Sequence, residues 1–160
     1  RAPDETCIAE MPGPVFDLPR EPGASEVVLE LFVDELTGLW GLVPEGWAEE
    51  YPLNFERGET SLDPTRLVLD ATWRSKGELF IVLSSWLGFD AGTKSVGSGE
   101  VGNFTWDFYE LRVERYPADL ALAEHGGKSY FVLLVSPADE REALYDSVFL
   151  PVVEALAPLE

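Results

Sequence analysis

Residues 118–135 read ADLALAEHGGKSYFVLLV. Two apolar runs, Ala118 to Glu124 and Ser129 to Val135, are joined through His125-Gly126-Gly127-Lys128, where the two glycines supply the positive φ angles that a tight hairpin turn demands. A hairpin-length connection joins antiparallel strands, because a parallel pair needs a long crossover. The segment therefore predicts an antiparallel sheet, and the rest of the chain can be placed around it.

Upstream, Phe104, Trp106 and Phe108 occupy one face of a predicted strand, while Tyr109, Leu111 and Val113 occupy the other. That change of phase predicts either a bulge or a central strand covered on both faces. A glycine-rich loop, Gly92 to Gly99, leads into it. Before the loop, Ser75 and Glu78 have the spacing of a capping box, so a helix starts there. Leu79, Val82, Leu83, Trp86 and Leu87 recur at helical spacing as its apolar stripe, and Gly88 is placed to end it. Arg66 to Trp73 reads as a strand from its β-branched and leucine content. A polar passage through Tyr51, Phe55 and an Arg57-Gly58 turn precedes it. Val27 to Val33 and Leu39 to Val43 form a hairpin across Thr37-Gly38, closed by Pro44-Glu45-Gly46-Trp47.

Downstream, Ser136 is read as an N-cap and Pro137 as a first-turn residue, with Asp139 and Glu140 suiting the positive end of the helix dipole. Leu144, Val148 and Val152 continue this second helix, which Pro151 should kink or break. The order β-β-β-α-β-β-β-α predicts an α+β domain, a mostly antiparallel sheet of about six strands flanked by two helices. It spans 26–160. Residues 1–25 carry Pro3, Pro12, Pro14, Pro19 and Pro22 with Gly13 and Gly23, so they are read as a lead-in through which neither a helix nor a paired strand runs.

The 160 residues carry 30 acidic against 11 basic side chains, a formal charge of −19. Such a surface repels phosphate backbones and anionic headgroups, which excludes nucleic acid and disfavours membranes as partners. No apolar run is long enough to span a bilayer, so membrane insertion is not expected. The acids are dispersed along the chain, which favours a solvated, soluble surface over a dedicated cation site.

Searching for catalytic chemistry yields no candidate. No serine lies in a Gly-x-Ser-x-Gly frame, and the single histidine, His125, falls in a hairpin turn. One His and one Cys cannot supply a zinc site, and no Asp-x-Asp-x-Asp-Gly loop marks calcium. Lys94 and Ser95 within the glycine-rich stretch match neither phosphate-loop spacing. Catalytic, cofactor and metal residues are therefore predicted to be absent. Trp73, Trp86 and Trp106 are either core residues, the reading their strand and helix positions favour, or the aromatic lining of a ligand pocket.

Two segments resemble known families. Ala2-Pro3-Asp4-Glu5-Thr6-Cys7-Ile8-Ala9 resembles the closing stretch of secreted bacterial α/β-hydrolases of the tripeptidyl-aminopeptidase type. The resemblance implies that Cys7 pairs with a cysteine of an upstream catalytic domain of the same polypeptide, in an oxidising, extracytoplasmic setting. From about Glu26, the features Pro44-Glu45-Gly46-Trp47, Trp86-Leu87-Gly88 and Ala143-Leu144-Tyr145-Asp146-Ser147-Val148-Phe149-Leu150-Pro151 resemble PsbP-like domains appended to such hydrolases. This implies a PsbP-like sandwich that binds or scaffolds and carries no catalytic residue. The expected function is a non-catalytic C-terminal accessory domain that aids stability, active-site covering or substrate selection of a serine peptidase or esterase. The competing expectation is a free-standing binding or scaffold module of the cell envelope.

Overall fold

The computed structural model describes residues 27–58 and 62–159. In chain order the elements are β1 (Leu29–Asp34), β2 (Leu39–Pro44), β3 (Ala48–Tyr51), β4 (Asn54–Glu56), β5 (Arg66–Thr72), α1 (Lys76–Leu87), β6 (Gly97–Val101), β7 (Phe104–Val113), β8 (Tyr116–His125), β9 (Lys128–Val135), α2 (Arg141–Leu144), α3 (Leu150–Ala155) and β10 (Ala157–Pro158). A 3-10 turn, Ala138–Glu140, precedes α2, and a π turn, Tyr145–Phe149, joins α2 to α3.

The β8–β9 hairpin is the centre of the molecule. Its turn places Gly126 at φ 62° and Gly127 at φ 82°, and the strands pair without interruption from Lys128 opposite His125 to Val135 opposite Ala118. Antiparallel neighbours extend it into a seven-stranded sheet of order β3-β4-β5-β9-β8-β7-β6, while β10-β2-β1 forms a separate three-stranded sheet. The fold is α+β, as the element order predicts.

Alternation along the central strands builds two cores. Val68, Leu120, Leu122, Phe131 and Leu133 face α1, which contributes Leu79, Phe80, Leu83 and Leu87. Leu67, Leu69, Ala121, Val132 and Leu134 face the opposite side, where the C-terminal helical segment and the small sheet cover them with Val148, Phe149, Val152, Leu39 and Val43. Strand β7 resolves the two options for its change of phase. It pairs with β8 in unbroken register, and Phe104, Trp106 and Phe108 enter one core while Leu111 and Val113 enter the other. It is a strand covered on both faces, with no bulge in that ladder.

Several expectations need correction. The polar passage before Arg66 contains two strands, β3 and β4, which pair with each other and, through β4, with β5. All four β3 residues are exposed, so no apolar alternation announced them. The glycine-rich stretch is a loop only as far as Val96; Gly97 to Val101 pair with Phe108 to Phe104 as an edge strand held by its neighbour's backbone. Helix α1 has the capping box, with Ser75 accepting from the Glu78 N–H, and Gly88 ends it at φ 82°. Its buried face, however, is Leu79, Phe80, Leu83, Ser84 and Leu87, leaving Val82 and Trp86 outside. Ser136 is not a cap: it is buried, its N–H bonds to Pro117 O, and its Oγ has no partner. Pro151 sits at the start of α3, just after the π turn that divides the helical segment. Its missing N–H follows the π turn and falls in the first turn of α3, where that donor is not required.

Candidate functional site

Two surfaces stand apart from the packed cores. The first is the outer face of the three-stranded sheet. Cross-strand partners share a face, and β1 and β2 pair Leu31 with Leu42 and Val33 with Trp40. Leu31 and Val33 of β1 point away from the protein, 65% and 56% exposed. On the inner face Leu39 and Val43 are buried, and Phe32 packs against Phe55 at 6.5 Å. Val28 and Leu36 extend the exposed apolar surface. An apolar row on the solvent side of a short edge sheet marks an interaction surface.

The second is a groove of about 450 Å³ between α1 and the strands β4 and β5. One helix of 10–12 Å diameter cannot cover seven strands spaced ~4.8 Å apart. Beside α1 the sheet face is therefore left open. Val68, Leu79, Leu83 and Phe131 make an apolar floor, and Tyr51 and Trp86 stand as walls. Asp70 and Arg74 also line it. Neither side chain has an ion-pair partner among the described residues. Asp70 is exposed by area, yet the protein atoms around it desolvate its carboxyl and hold it above the ordinary aspartate range, against the Ala71 N–H that donates to Oδ1 at 2.8 Å and the more distant Lys128 charge; Asp34 adds to the rise. Asn54 lines the same groove, and its Oδ1 is buried without a partner.

The three tryptophans part company. Trp86 is 56% exposed and lines the groove. Trp106 is fully buried in the opposite core, donating its indole N–H to Val101 O at 3.0 Å, far from the groove in packing terms. Trp73 is exposed beneath the Lys128 ammonium, whose Nζ lies 5.0 Å from the ring centroid. The sequence pointed to aromatics in general; Asp70, Arg74 and Asn54 were not singled out, since only the pairing of β4 with β5 brings Asn54 opposite Val68. Cys7 lies outside the described residues.

A larger cavity, about 560 Å³, opens where Arg112, Arg141, Glu110 and Glu114 meet. Its two arginines are already engaged: Arg141 bonds Asp119 and Glu110, and Arg112 donates to Arg115 O. His125 packs edge-on against Phe104, 5.6 Å between centroids. Among the described residues no group of three or more His, Cys, Asp or Glu side chains could hold a metal ion, and no helix is long and apolar enough to cross a membrane.

No protein-family model matches the chain, and no curated protein does. Among solved structures, the cyanobacterial PsbP (CyanoP) of Synechocystis sp. PCC 6803 is similar at 12% identity with a TM-score of 0.51, covering 81% of this chain and 92% of that one. LpqN of Mycobacterium tuberculosis, described as involved in cell envelope biogenesis, aligns at 13% identity with a TM-score of 0.37 over 82% of this chain and 84% of that one. The fold of this chain is thus PsbP-like, an antiparallel α+β sandwich.

Proposed function

We propose that this chain is a non-catalytic accessory module that docks onto a partner protein through the outer face of its small sheet. The observation carrying this reading is the apolar row Leu31, Val33 and Trp40, turned to solvent while Phe32 of β1 packs inward. Burying it against a partner would gain about 25 cal/mol per Å². The proposed partner is the catalytic domain of a secreted α/β-hydrolase, supported by the resemblance of Ala2 to Ala9 and by Cys7 as a tether to that domain. An extracytoplasmic location goes with the disulfide.

The full-length gene product tests this. Amides of β1 and β2 should exchange more slowly in it than in the isolated module, and Cys7 should be unreactive to thiol reagents until reduced. Equal exchange in both, or esterase or peptidase turnover by the module alone, overturns the proposal. The competing reading, a free-standing envelope module, is favoured by the alignment covering 92% of the CyanoP chain. A gene encoding only an export signal before Arg1 decides for it.

A further inference from the structure

We infer that the groove between α1 and β5 is a binding site for a short, apolar peptide with free termini, its amino group held by Asp70 and its carboxylate by Arg74. This site is separate from the docking face of the small sheet and does not depend on it. Three features define the occupant. The floor of Val68, Leu79, Leu83 and Phe131 with the Trp86 and Tyr51 walls takes aliphatic or aromatic side chains. The volume of about 450 Å³ lies within the range of small-ligand sites.

Charge then selects among apolar ligands. The groove presents one unpaired acid and one unpaired base, so an amphipathic amine leaves Arg74 unanswered and an amphipathic acid leaves Asp70 unanswered. A zwitterion answers both. The unpaired Asp70 carboxyl is already partly desolvated, and an ammonium beside it would relieve that cost. Asp70 lies in β5 and Arg74 in the bend that follows it, four residues on, which puts their Cα atoms at most about 13 Å apart. This spacing suits a few residues of extended peptide better than a single amino acid.

Calorimetric titration of the full chain with tri-leucine, N-acetyl-tri-leucine and tri-leucine amide, with Trp86 emission followed in parallel, tests the inference. Tri-leucine should bind saturably, and each blocked form about fivefold more weakly, the worth of one partly exposed ion pair. Asp70→Asn should weaken tri-leucine to the level of the acetylated peptide and leave that peptide's affinity unchanged. Arg74→Gln should do the same with respect to the amide. Trp86→Phe should abolish the emission change and, because Trp86 is a wall of the groove, weaken the binding read by heat. Both charged residues are exposed, so these variants should fold, and either one alone carries the test. Absence of saturable heat at millimolar peptide, or equal binding of free and blocked forms, overturns the inference and leaves the docking face untouched.

Discussion

Arg57 is the most heavily committed side chain in the molecule. It is almost fully buried, donating from Nε to Asp63 at 2.7 Å and from Nη1 to Glu140 at 2.8 Å, so it ties the loop after β4 to the turn before α2. The Glu140 hydrogen bond, partly offset by burial, holds its guanidinium protonated more firmly than usual. For Asp63, burial raises the carboxyl, but hydrogen bonds from Arg57 and Thr65 outweigh it and leave the group below the ordinary aspartate value of 3.8. The unfolded chain therefore takes up this proton first as pH falls. The group stabilises the fold above 3.8, and its contribution is lost as pH drops through the folded value. Asp63→Asn should flatten the acid limb of a stability–pH curve measured by urea unfolding, while lowering stability at neutral pH. Glycines offer a second residue-level test. Gly102 has φ +66°, and a Cβ there would lie 2.0 Å from Glu154 O at the end of α3; Gly46 has φ +86° with open space around it. Gly46→Ala should cost about 1 kcal/mol for the left-handed conformation alone. Gly102→Ala should cost clearly more, read as the difference in denaturant midpoints, because backbone must move.

At the level of elements, local signals were readable where they depended on neighbours in sequence. Ser75 with Glu78, Gly88, and the His125–Lys128 turn each satisfy backbone groups within a few residues. Ser75→Ala should lower stability by about 1 kcal/mol in thermal or urea unfolding, with the loss confined to the cap because Ser75 is exposed. Elements whose existence rests on partners were not readable. Strands β3 and β6 are formed by the hydrogen-bonding edges of β4 and β7, and their own residues, Glu49, Glu50, Gly97 and Gly99, have poor strand propensity. Ser136 and Pro137 look like a cap and a first turn in sequence. The Ser136 Oγ caps no backbone N–H, and the helical segment begins at Ala138.

For the molecule as a whole, 30 acidic side chains outnumber 11 basic ones, and the net charge of −19 that remains is self-repelling. Added salt should raise the melting temperature between low and physiological ionic strength, as the screening length falls from about 30 Å to about 8 Å. A flat or falling melting temperature would show that the ion pairs of Arg57 and Arg141 outweigh the repulsion. The candidate sites belong to this scale too. A strand with alternating Leu29, Leu31 and Val33 reads as a buried face, and a helix with Val82 and Trp86 in its stripe reads as packed. Both faces are open because of what stands opposite them: among the described residues nothing covers the outside of the small sheet, and α1 lies over β8 and β9 and leaves a groove beside β5. The sequence by itself determined the α+β class, the central hairpin, the α1 cap and stop, and the absence of familiar catalytic motifs, because each depends on spacing along the chain. Only the tertiary structure decided which apolar residues stay exposed, which edge strands exist and that Asp70 and Arg74 share a groove, because those depend on surfaces brought together from distant positions.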